Sequence, residues 1–77
     1  MAKTTKLLSI IIVSYNTAEL TIQTLDSVFA DLKQDAELVN QSEIFIIDNN
    51  SQDNSVSTIK KWIKAHSNID TTLIENK

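Results

Sequence analysis

Apolar residues fall into two kinds of pattern along this chain. Two short runs, Leu7-Leu8-Ser9-Ile10-Ile11-Ile12-Val13 and Ile44-Phe45-Ile46-Ile47, are nearly uninterrupted and rich in β-branched side chains. Such runs read as strands buried on both faces, as in a parallel sheet. Each opens into a polar mouth, Ser14-Tyr15-Asn16-Thr17 after the first and Asp48-Asn49-Asn50-Ser51 after the second. Elsewhere the apolar positions recur at helical spacing. Ile22, Leu25, Phe29 and Leu32 share one stripe, and Val56, Ile59 and Ile63 form another.

These patterns predict a definite order of elements. Strand 1 runs from Leu7 to Ser14, after polar residues 1–6 that are expected to fray. Asn16 is placed to cap a helix over Thr17 to Lys33, with Glu19 completing a capping box. Leu32, Ala36 and Val39 either continue that helix or form a second short one before Asn40-Gln41-Ser42 stop it. Strand 2 spans Glu43 to Ile47, and Asp48 to Asp53 form a loop. Ser51 or Asp53 can cap the next helix, which carries Lys60, Lys61 and Lys64 near its negative end and stops at a left-handed Asn68. Thr71-Thr72-Leu73-Ile74-Glu75 is a short third strand.

The fold class is α/β, a β-α-β-α-β unit with a three-stranded parallel sheet, half of a doubly wound fold. Ligands of such sheets bind beyond the carboxyl ends of the strands. That rule brings the two polar mouths, distant in sequence, to one rim.

Composition narrows the chemistry. Cysteine is absent, which removes disulfides, thiolate metal sites and a Cys nucleophile. Glycine and proline are absent as well, so any turn needing a positive φ must use Asn or Asp. A net charge of −3 with no large basic cluster argues against nucleic acid as a partner. No run approaches the roughly 18 apolar residues of a membrane span, and the amino-terminal stretch lacks a signal-peptide cleavage site, so a cytoplasmic location is the expectation. A chain of 77 residues has a small core, and the sequence reads as part of a larger unit.

Asp48 is the leading candidate for chemistry. Its ionised carboxylate accepts hydrogen bonds only, which suits the imide N–H of uracil or thymine and not the acceptor that cytosine presents there. It can equally satisfy loop N–H groups or cap the next helix, and both readings stand at this point. Tyr15 can stack on a base or ribose, or cover the end of the sheet. Asn49, Asn50 and Ser51 provide donors near a helix start, as a solvated turn also would. His66 and Trp62 read as structural, with Trp62 at a packing boundary. No glycine-rich phosphate loop occurs, and Asp35-x-Glu37, a close acidic pair, lies away from the rim.

Taken together, Ser9-Ile10-Ile11-Ile12-Val13-Ser14-Tyr15-Asn16 and Ile47-Asp48-Asn49-Asn50-Ser51-Gln52-Asp53-Asn54-Ser55 resemble the first two motifs of the family 2 glycosyltransferases, enzymes of GT-A fold that use nucleoside-diphosphate sugars. The resemblance implies that residues 1–77 are the amino-terminal, nucleotide-binding part of an incomplete domain with a Rossmann-like GT-A sheet. By the same resemblance Val13, Ser14 and Tyr15 contact base and ribose, Asp48 hydrogen-bonds the base, and Asn50 and Ser51 shape the pocket. The implied donor is a UDP- or dTDP-sugar. The implied acceptor is a glycan or lipid-linked glycan, and the complete enzyme would be membrane-peripheral if attached at all.

The family's Asp-x-Asp motif for Mg²⁺ or Mn²⁺ and its later acidic base have no counterpart in this sequence. The resemblance therefore implies an inverting transferase whose nucleotide grip is present, whose metal ligands are elsewhere, and whose first 77 residues alone turn nothing over. The stretch from Asp31 to Ser42 is longer than the family's usual link into strand 2, and a truncated product is the expectation. The alternative is a non-catalytic α/β interaction module or a remnant without ligand. A receiver-like phosphorylation switch is disfavoured because Ser14-Tyr15-Asn16 stands where an acidic pair would be.

Overall fold

The two β-branched runs become neighbouring parallel strands in the computed structural model, which describes residues 8–76. Elements follow in the order β1 (Leu8–Ser14), α1 (Ala18–Leu32), α2 (Ala36–Asn40), β2 (Ser42–Asp48), α3 (Ser55–Ala65) and β3 (Asp70–Glu75). One sheet has the strand order β1-β2-β3, parallel throughout. Its register aligns Ser14 with Asp48 and Asp48 with Glu75, so all three strands end together at one edge. The expected residues 1–6 and the start of strand 1 at Leu7 lie outside the described residues.

Successive right-handed crossovers between adjacent strands put α1 and α3 on the same face of the sheet. There the core forms from Leu25 and Leu32 of α1, Val39 of α2, Ile44 and Ile46 of β2, Ile59 and Trp62 of α3, and Ile69. Ile44 and Ile46 are wholly buried. The opposite face is open, which corrects the expectation that both apolar runs are buried on two sides. Ile11 and Val13 are each 65% exposed, and only β2, flanked by a strand on either side, approaches the expected pattern.

Other boundaries differ for local reasons. Asp48 belongs to β2, not to the loop, because its backbone still pairs with Ser14 and Glu75. The doubtful segment is a separate short helix, α2, started by the Asp35 carboxylate accepting from the N–H groups of Glu37 and Leu38. Asn68 is not left-handed; among the described residues the positive-φ positions are Asn16 at 49° and Asn50 at 64°. The turn after α3 is held instead by His66 N–H to the Ile63 carbonyl and Ile69 N–H to the His66 carbonyl.

Trp62, expected at a boundary, is buried between the helices. Its indole N–H donates to Asp26 Oδ1 at 2.8 Å, tying α3 to α1. His66 stacks on it at 3.9 Å between ring centres, and Phe29 meets both rings edge-on. The one-sided core gives a direct test by urea unfolding. Ile46→Ala should cost about 2–5 kcal/mol, whereas Val13→Ala on the open face should cost under about 1 kcal/mol. Equal losses would mean that the open face is covered.

Candidate functional site

The carboxyl edge of the sheet gathers both polar mouths. Ser14 and Asp48 sit side by side in register, with side chains turned toward the helices and buried. The Ser14 hydroxyl accepts from the Thr21 hydroxyl of α1 at 2.9 Å, and its carbonyl accepts from the Asn49 N–H at 2.8 Å. The strand end is therefore fixed from below by α1 and from the side by the second loop. From β3's end, the Asn76 N–H reaches the Asp48 carbonyl at 2.8 Å and its carboxamide donates to Asn49 Oδ1 at 3.0 Å.

Asp48 is only 1% exposed, and both carboxylate oxygens are engaged by one residue. Oδ1 accepts from the Ser51 hydroxyl and Oδ2 from the Ser51 N–H three residues on, closing a turn over the strand end. Ser51 occupies one acceptor position on each oxygen, and the remaining positions are covered by protein in this conformation. Asn50 makes the tight return possible by occupying the left-handed region at a φ of 64°. The next residue, Ser51, is half-buried beneath it.

Asn16 does not cap α1. The formal cap is Thr17, which makes no capping side-chain bond, and the φ of 49° at Asn16 turns its carboxamide across to the other mouth. There Asn16 Oδ1 accepts from the N–H of Gln52 at 2.6 Å and of Asp53 at 3.3 Å, while its own N–H donates to Ser51 Oγ at 2.9 Å. Asp53 completes the return. Its carboxylate accepts from the Ser55 hydroxyl and, at 2.9 Å, the Ser55 N–H at the start of α3. The Ser55 hydroxyl, then the Ser55 N–H, and less strongly the first N–H of α1 at Ala18, hold the Asp53 carboxyl below its ordinary value of 3.8.

Of the six expected nucleotide-site residues, Asp48, Asn50 and Ser51 form one hydrogen-bonded turn, with Ser14 directly beside it. Tyr15 is 55% exposed at the same rim, with its ring free to meet a ligand. The Val13 side chain points to the open sheet face instead, as strand alternation requires, so at the rim only its backbone is at hand. Sequence reasoning gave Asn16 the wrong partner and did not find Thr21 or Asn76. The missing glycines were the available signal for Asn16, since a forced left-handed turn at the mouth needs Asn or Asp.

The glycosyl transferase family 2 profile matches residues 9–77. The chain belongs to that family. A mannosyltransferase from Pyrobaculum calidifontis, solved in complex with GDP-mannose and Mn²⁺, superposes with a TM-score of 0.80 at 23% identity. The match covers 95% of this chain and 20% of that one, so the family 2 chain spans about a fifth of the neighbour's length. The shared fold is the Rossmann-like GT-A arrangement of parallel strands with helices between them. A search of curated protein sequences gave no match.

The described residues do not fit the divalent ion that the family implies. Among them no three His, Asp or Glu side chains come together as ligands. The Asp48 oxygens face a hydroxyl and an N–H, and Asp53 Oδ1 faces the same pair on Ser55, which are partners for an anion's lone pairs and not neighbours of a cation. Also among the described residues, no helix is long and apolar enough to cross a membrane.

The Asp53 linkage has a defined sign. A carboxyl whose folded pKa is depressed adds stability above its ordinary pKa, and that stability is lost as pH falls through the folded value. Urea midpoints measured from about pH 5 down to about pH 2 should therefore fall less steeply for Asp53→Asn than for the parent chain. Parallel curves would show that the Asp53 carboxylate does not couple the start of α3 to folding.

Proposed function

We infer that this chain forms the nucleotide-binding edge of a glycosyltransferase that moves a sugar from a nucleoside diphosphate to an acceptor hydroxyl. The observation that carries this reading is the meeting of Ser14-Tyr15-Asn16 with Asp48-Asn49-Asn50-Ser51 at the carboxyl edge of a parallel sheet. That edge is where open α/β sheets take ligands. Family membership supplies the class of ligand.

Asp48 is the base-reading group. Two of its acceptor positions are occupied by Ser51, which orients the carboxylate, and the rest accept the N–H of an imide once the Asp48–Ser51 turn shifts to uncover a side chain that is 1% exposed without ligand. Uracil and thymine present such a group, and guanine presents an equivalent N–H beside an amino group. The last matters because the structural neighbour was solved with GDP-mannose. Cytosine and adenine present acceptors at the corresponding ring nitrogen. Tyr15 contributes its ring to base or ribose, and Asn50, Ser51 and the Val13 and Ser14 backbone border the pocket.

In the complete reaction the acceptor hydroxyl attacks the anomeric carbon, its proton passes to a base, and the nucleoside diphosphate departs with inversion. This chain's residues bind and orient the nucleotide. Proton acceptance and charge neutralisation of the diphosphate, by Mg²⁺ or Mn²⁺, fall to groups outside it, so residues 1–77 alone should be inactive. Turnover of any nucleotide sugar by this chain above a protein-free control would contradict that assignment.

The base assignment is tested by Asp48→Asn. The new side chain keeps a carbonyl for the Ser51 N–H but offers an NH₂ where a base donor must land. Calorimetric titration should show UDP or GDP binding weakened by about 1–3 kcal/mol, with CDP binding not weakened. An unchanged affinity for every nucleotide would return Asp48 to a purely structural role.

A further inference from the structure

The bond pattern around Asn16 exceeds what a turn requires. Asn16 follows β1, yet its three cross-loop hydrogen bonds all go to residues 51–53 beyond β2. Ser51, which receives the Asn16 N–H, is the residue that donates twice to Asp48. The chain of contacts is therefore continuous: Asn16 to Ser51 to both oxygens of Asp48. A hydroxyl that accepts from Asn16 has its own proton directed at Asp48, so the first mouth determines how the second mouth's carboxylate is held.

The geometry points to Asn16 as a positioning residue for the nucleotide site, its carboxamide and N–H fixing the loop Ser51–Asp53 and, through Ser51, the free lone pairs of Asp48. This rests on the reading of Asp48 as the base acceptor and goes beyond it, since Asn16 itself touches neither Asp48 nor, in this role, the nucleotide. The alternative, that Asn16 merely supplies a left-handed turn, makes a different prediction. A turn needs only the backbone conformation at a φ of 49°, which glycine adopts with ease. Positioning needs the side-chain oxygen as well, which anchors the N–H groups of Gln52 and Asp53 next to Ser51, whereas the backbone N–H that meets Ser51 Oγ survives in glycine.

Two substitutions separate these roles. Asn16→Gly keeps the left-handed backbone and deletes the acceptor for the Gln52 and Asp53 N–H groups, while Asn16→Asp keeps both. In nucleotide-free chain, Asn16→Gly should shift the ¹³C resonance of the Asp48 carboxyl and speed hydrogen exchange at Gln52 and Asp53, whereas Asn16→Asp should leave both exchange rates slow. UDP and GDP titrations should then show affinity lowered about tenfold in Asn16→Gly and largely restored in Asn16→Asp, at similar urea midpoints. An Asn16→Gly chain that binds nucleotide like the parent, or that leaves the Asp48 carboxyl resonance unmoved, overturns the positioning role alone. Failure of the parent chain to bind any of these nucleotides overturns the base-acceptor reading, and the positioning role with it.

Discussion

The Asn16 side chain and backbone hold the two strand mouths together. Its carboxamide reaches from the end of β1 to the backbone of Gln52 and Asp53 and its N–H to Ser51, while the Asp53 carboxylate closes on Ser55 at the start of α3. The shape of the rim depends on this clasp. Without it no hydrogen bond from the first mouth would reach residues 51–53. Neither α1 nor α3 has a capping bond from its own formal cap residue, and at α3 the Asp53 carboxylate takes that place.

That arrangement divides the rim by charge. The start of α3 already faces the Asp53 carboxylate, so it is poorly placed to receive a diphosphate as well. The acceptor-rich part is at Asp48, with Tyr15 exposed beside it, and suits the flat, donor-bearing end of a nucleotide. On the proposed reading, the base lies at this edge. The opposite sheet face is open, with Ile11 and Val13 exposed, although parallel sheets are ordinarily covered on both sides.

Much of this was legible in the sequence, and the reasons are physical. The β-branched runs and the helical stripes had the right periods, and the crossover lengths required parallel pairing, so the element order and the convergence of the two mouths followed. Burial of β1 was misjudged because periodicity cannot distinguish an edge strand with one bare face from a central one; Ile11 and Val13 look like core residues in either case. Asn16 was misassigned for a related reason. An Asn just before a helix satisfies the capping rule locally, and only the fold reveals that the loop after β2 competes for its oxygen and wins. Trp62 sat one position off an apolar stripe, and its partner Asp26 on another helix had no sequence signature.

The most direct test of the account is where a nucleotide binds on the folded chain. Amide chemical shifts recorded with increasing UDP and GDP should move first and most at Tyr15, Asn16 and Asp48 to Ser51, with the outer surfaces of α1 and α3 unaffected. Shifts confined to those helices, or spread evenly without saturation, would contradict the assignment of the carboxyl edge as the base site.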